Sequence, residues 1–115
     1  TYWVRKFGVQ HPVFNTKPLV MFSAKRTAKK DVYWKVPAHQ DWPSNLGSRN
    51  GITVWVPLVD VTDELGPLEI VPDSHKAGPL DHVLDGIPVI KDYPDDGFVK
   101  VPMTVGDGLL FNTMT

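Results

Sequence analysis

His39-Gln40-Asp41 sets an imidazole and a carboxylate two residues apart. On an extended backbone positions 39 and 41 point to the same side, with Cα atoms about 6.6 Å apart. Both side chains can then close on one metal ion. They would supply two of the three protein ligands of a facial triad, which leaves positions open on a non-haem Fe(II) for a cosubstrate and oxygen. The tripeptide alone is common, and its ordinary structural reading is a surface turn with a His–Asp hydrogen bond. Gln40 would point away from His39 on a regular strand. That gives it a supporting role behind the ligands, with Trp42 flanking the pair on the other side.

Other polar residues carry weaker signals. Lys25, Arg26, Lys29, Lys30 and Lys35 form a basic patch ahead of the motif. It could receive a phosphate- or carboxylate-bearing substrate, although a solvated lysine-rich loop is the default. Asp92, Asp95 and Asp96 with Gly97 make an acidic turn, and a calcium site would need more oxygen ligands at defined spacing. His11 precedes Pro12 in an extended or turn segment. His75 and His82 read as exposed or hydrogen-bonded histidines in turns and loops.

The elements that position these residues are strands. Helical periodicity is nearly absent, while period-two patterning recurs. Strands are expected at Leu19–Lys25, with Leu19, Met21 and Ser23 on one face, and at Val32–Val36. A long apolar strand is expected at Ile52–Val59, at a sheet edge or bulged at Pro57, which has no ladder donor. Leu68–Val71, Phe98–Met103 and Leu109–Asn112 follow, the last entered through the turn Gly106-Asp107-Gly108. Residues 62–67 read as a tight turn. A helix fits most easily before Leu19. Short strands separated by turns indicate an all-β sandwich or barrel.

The chain has 115 residues, 42% apolar and 22% charged, which is globular composition for one domain. The formal net charge of −1 gives no argument for bulk binding to nucleic acid or to an anionic membrane. No apolar run approaches the roughly 20 residues of a membrane helix. With no cysteine, disulfides, thiolate catalysis and Cys-ligated zinc are excluded. A reducing, cytoplasmic location fits this composition. The first residue is Thr1, and Thr115 lies within an apolar stretch. The segment therefore reads as an internal piece of a longer domain. A half-barrel of this kind would expose apolar strand edges, so by itself it should be unstable or associate.

After His-Gln-Asp-Trp come a Ser44–Gly51 loop and the strand Thr53-Val54-Trp55-Val56-Pro57-Leu58. Asp60-Val61-Thr62, Gly66-Pro67-Leu68, Val71-Pro72-Asp73-Ser74-His75-Lys76 and Gly106-Asp107 follow in order. This series, from about Lys17 to the end, resembles the phytanoyl-CoA dioxygenase family of Fe(II)/2-oxoglutarate oxygenases. Leu65 stands where the family usually has Asn, and Asp73 where it usually has Gly.

The resemblance implies an all-β double-stranded β-helix, a jelly-roll or cupin-like barrel, present here only in part over residues 1–115. It implies Fe(II), 2-oxoglutarate as cosubstrate and a small organic substrate. His39 and Asp41 would be metal ligands, and His75 a turn residue. Thr53, Trp55 and, more weakly, Met21 would line the cosubstrate pocket; Trp55 reads equally as a core aromatic. Because Asp41 is a carboxylate, hydroxylation is favoured over halogenation. In the family a second metal histidine follows the Gly-Asp strand, and the arginine that pairs with 2-oxoglutarate comes after it. Neither is among these 115 residues. The alternative is a non-catalytic β-barrel binding domain that keeps the H-x-D by descent or chance. Substrate identity and oligomeric state are not readable from the residues.

Overall fold

A computed structural model of the chain divides into two compact units, Thr1–Lys35 and Val36–Thr115. It describes residues 36–115 together with Lys6, Gly8, Val13 and residues 18–21. In the first unit Leu19, Val20 and Met21 are exposed and lie in no strand. The start of the strand expected over Leu19–Lys25 is therefore not strand, because no ladder partner pairs these three residues. Its remainder, Ser23 included, lies outside the described residues. So do the basic patch, His11 and residues 32–35 of the second expected strand, and Val36 is not in a strand.

The second unit is mainly β. After a one-turn helix, α1 (Trp42–Asn45), come β1 (Ile52–Trp55), β2 (Leu68–Ile70), β3 (Val83–Asp85), β4 (Ile87–Val89), β5 (Val99–Val101) and β6 (Leu109–Asn112). They pair as three two-stranded antiparallel sheets, β1–β6, β2–β5 and β3–β4. Among the described residues these sheets do not close into a barrel.

Proline sets the length of β1. The expected strand to Val59 stops at Trp55, two residues before the buried Pro57, which cannot donate to a ladder. The register of β1 on β6 pairs Thr53 with Phe111 and Trp55 with Leu109. Strand alternation leaves Ile52 and Val54 exposed and turns Thr53 and Trp55 to the more covered face.

β2 and β5 match the apolar segments at Leu68 and Val99, each shortened. Met103 forms an isolated bridge with Val61 instead of extending β5. The β3–β4 hairpin was not expected from the sequence. Gly86, at φ 72°, makes its turn, and Pro88 is tolerated because β4 pairs only with β3.

Among the described residues the buried apolar ones are few: Val89, Met103 and Met114, together with Pro57, Pro67 and Pro88. Carboxylates organise the turns at one end of β6. Asp107 accepts the Thr104 N–H at 2.7 Å and the Thr104 hydroxyl at 2.9 Å. Asp60 accepts the Val105 N–H at 2.8 Å, across the Val61–Met103 bridge. Two of the motif carboxylates are therefore turn-formers. Such side-chain oxygens satisfy backbone donors that no strand partner reaches.

Asp73 has φ 65°, in the left-handed region. That explains why a glycine would suit the position, and aspartate is among the few other residues that adopt it readily.

Candidate metal centre

His39 and Asp41 lie just before and at the N-terminal boundary of α1. Asp41 occupies the N-cap position, yet its carboxylate makes no capping hydrogen bond. Pro43 at the start of the helix already lacks one of the donors a cap would serve. The carboxylate turns instead to β1, where Oδ2 accepts the Thr53 hydroxyl at 2.6 Å. Its other oxygen, Oδ1, is 3.4 Å from His39 Nε2. The side chains of His39 and Asp41 are each about a third exposed, so the pair is reachable from solvent.

The opposite edge of the imidazole is also committed. His39 Nδ1 lies 2.9 Å from the Pro37 carbonyl oxygen. A carbonyl only accepts, so Nδ1 carries a proton and donates it there. Neutral His39 then presents the Nε2 lone pair to the Asp41 carboxylate. Two acceptors face one another, and a proton or a cation must lie between them.

The pair favours a proton in that place. The hydrogen bond to Asp41 raises the His39 pKa above its ordinary value, against burial, which lowers it. The same hydrogen bond, assisted by Thr53, holds the Asp41 carboxyl below its ordinary value, against burial, which raises it.

This donor set fits a divalent cation. One imidazole nitrogen and one carboxylate oxygen are the N/O ligands that suit non-haem Fe(II) and its neighbours. Donors each about 2.1 Å from one ion are about 3 Å apart at a right angle. The observed 3.4 Å separation is close to that. Among the described residues no group of three or more His, Cys, Asp or Glu side chains could hold a metal. His75 is half-buried in a 3₁₀ turn, and His82 is exposed with Nδ1 3.3 Å from the Leu80 carbonyl. Neither completes the pair.

Between His39 and Asp41 in the chain, Gln40 is 3% exposed. Its amide nitrogen donates to the Met114 carbonyl at 2.6 Å and to the Gly78 carbonyl at 3.1 Å. Its amide oxygen accepts the Leu80 N–H at 2.9 Å. Next to it, the Trp42 backbone N–H donates to the Thr113 carbonyl at 2.9 Å. The H-x-D segment is thus fastened to the end of β6 and to the loop at Gly78–Leu80. Gln40 was expected to point away from His39, and its three partners are tertiary contacts that the sequence does not display.

Of the residues expected at a cosubstrate pocket, Thr53 gives its hydroxyl to Asp41. Trp55 is half-buried on the same face of β1. Met21 belongs to the first unit and is exposed.

The model of the family described as Phytanoyl-CoA dioxygenase (PhyH) matches residues 3–115. The chain belongs to the phytanoyl-CoA dioxygenase family. The chain is similar to a 1-deoxypentalenic acid 11-beta-hydroxylase of Streptomyces arenae, 31% identical over 96% of this chain and 42% of that protein. The protein of the same name from Streptomyces exfoliatus is 26% identical over the same shares. The chain thus spans 42% of the length of these relatives. No solved structure gives a significant match. Among the described residues no helix is long and apolar enough to cross a membrane.

Proposed function

We propose that this chain is the metal-binding part of an Fe(II)- and 2-oxoglutarate-dependent oxygenase. The enzyme hydroxylates a small organic substrate and releases succinate and CO2. One observation carries the reading. In a chain of this family, His39 Nε2 and Asp41 Oδ1 face each other at 3.4 Å, with the other polar atom of each side chain already bonded. The relatives' names, which are those of hydroxylases, support the reaction class.

In this reading His39 binds iron through Nε2, and the Pro37 carbonyl holds the ring in the required tautomer. Asp41 would hold the iron through Oδ1, with Thr53 keeping Oδ2 occupied. The Asp41 carboxylate would take a position that a halide would otherwise need, which supports hydroxylation over halogenation. Bound iron supplies the oxygen chemistry. The protein's share is to fix the ligands, hold the keto acid and keep water away. Trp55 and Thr53, which share one face of β1, are the side chains proposed to line the keto-acid pocket.

The parent fold in this proposal is a double-stranded β-helix. Among the described residues no third ligand joins His39 and Asp41.

The test is succinate formation by the full-length protein with and without Fe(II). Turnover is expected only with iron, and His39→Ala and Asp41→Ala should each abolish it, since the ion is left with too few protein donors. Iron-independent turnover, or turnover that survives in Asp41→Ala, would overturn the assignment.

A further inference from the structure

Gln40 is the only polar side chain with a charged or amide group among the buried described residues, and every hydrogen-bonding group it has is used. Both amide protons go to carbonyls, Gly78 and Met114, and the oxygen takes an N–H from Leu80. These partners lie 38, 74 and 40 residues away in sequence, so the contact is tertiary and local propensity plays no part in it. Only a glutamine-length amide gives two donors and an acceptor at that reach. Glutamate has the same shape but would turn a carboxylate toward two carbonyl oxygens.

The side chain leaves the backbone midway between the two residues that face each other. We propose that Gln40 is a positioning residue for the metal pair. Its amide pins the H-x-D backbone to the end of β6 and to the Gly78–Leu80 segment, and this sets the separation of His39 Nε2 from Asp41 Oδ1. The proposal rests on the reading of His39 and Asp41 as ligands. Groups that orient metal ligands from behind typically alter metal affinity 10- to 100-fold when removed.

The experiment uses the full-length protein, with Mn(II) as the probe ion and amide hydrogen exchange as a second readout. Gln40→Met removes all three hydrogen bonds. Gln40→Glu keeps the shape and the acceptor for Leu80 but loses both donors, and circular dichroism of each variant establishes that it is folded before its affinity is read. Val89→Ala, a buried apolar truncation on β4, controls for general destabilisation.

The expected result is Mn(II) dissociation constants raised by roughly 10- to 100-fold in both Gln40 variants. The Val89→Ala protein should bind as tightly as the wild type. The Leu80 amide should exchange faster in Gln40→Met but not in Gln40→Glu. If folded Gln40 variants bind Mn(II) as the wild type does, or if Leu80 exchange is unchanged in Gln40→Met, Gln40 does not position the pair, and the ligand assignment stands. If the wild type fails to bind Mn(II), or Asp41→Ala binds it undiminished, the ligand assignment falls and this proposal falls with it.

Discussion

The Thr53 hydroxyl donates to Asp41 Oδ2 at 2.6 Å, and that bond decides which oxygen of the carboxylate is left to face His39. A residue on β1 thereby orients a carboxylate that lies twelve positions earlier, outside any strand. Thr53→Val keeps the shape and removes the hydroxyl. Stability should fall by about 1–2 kcal/mol, the range for a hydrogen bond to a charged group that is partly exposed. Metal affinity should fall about tenfold or more. A denaturant melt and a Mn(II) titration check the two effects separately.

The His39–Asp41 pair should make the metal-free protein pH-sensitive. His39 has its pKa raised above 6.5, so its contribution is complete below that value and is lost as pH rises through the higher folded value. Asp41 has its pKa lowered below 3.8, so its contribution is complete above that value and is lost as pH falls through the lower folded value. The pair therefore stabilises most between those two ordinary values. An NMR titration of the His39 ring should give a midpoint above 6.5, and Asp41→Asn should bring it down. A midpoint at or below 6.5 in the wild type would contradict the facing arrangement.

Gly51 shows a different constraint. A Cβ there would lie 2.9 Å from Thr113 Oγ1 and 3.0 Å from its Cγ2, with the Ser48 carbonyl at 3.1 Å. Gly51 also accepts the Thr113 N–H, which holds β1 against the end of β6. Gly51→Ala should cost about 1–3 kcal/mol through overpacking. Calorimetry of the full-length protein measures it.

At Asp73 backbone conformation is the governing variable. Asp73→Gly relieves a left-handed residue but adds chain entropy, so stability should change by less than about 1 kcal/mol. Asp73→Val should cost about 1–2 kcal/mol, because a β-branched side chain clashes at positive φ. Paired thermal melts separate the two. Equal losses would mean that the exposed Lys76–Asp73 ion pair, at 2.8 Å, matters more than the backbone.

What the sequence made legible depended on range. The two-residue spacing of His39 and Asp41 is local, and it brought their side chains together as expected. β6 spans Leu109–Asn112 as its apolar run and the preceding Gly-Asp-Gly turn indicated. β1 was read four residues too long, because the apolar run continues through Pro57 while the ladder cannot. The β3–β4 hairpin was missed because Pro88 masked it; Gly86 between Val83-Leu84 and Ile87 was its one local signal. The three partners of Gln40 and the Thr53–Asp41 bond depend on chain segments meeting in space, and no periodicity encodes them.

The central claim is that one divalent ion sits between His39 and Asp41. The most direct measurement is an anomalous-scattering map from crystals of the full-length protein loaded with Mn(II). A single peak is expected within about 2.2 Å of both His39 Nε2 and Asp41 Oδ1, with Asp41 Oδ2 still bonded to Thr53. A peak held by His75 or His82, or one that leaves His39 bonded directly to Asp41, would contradict it.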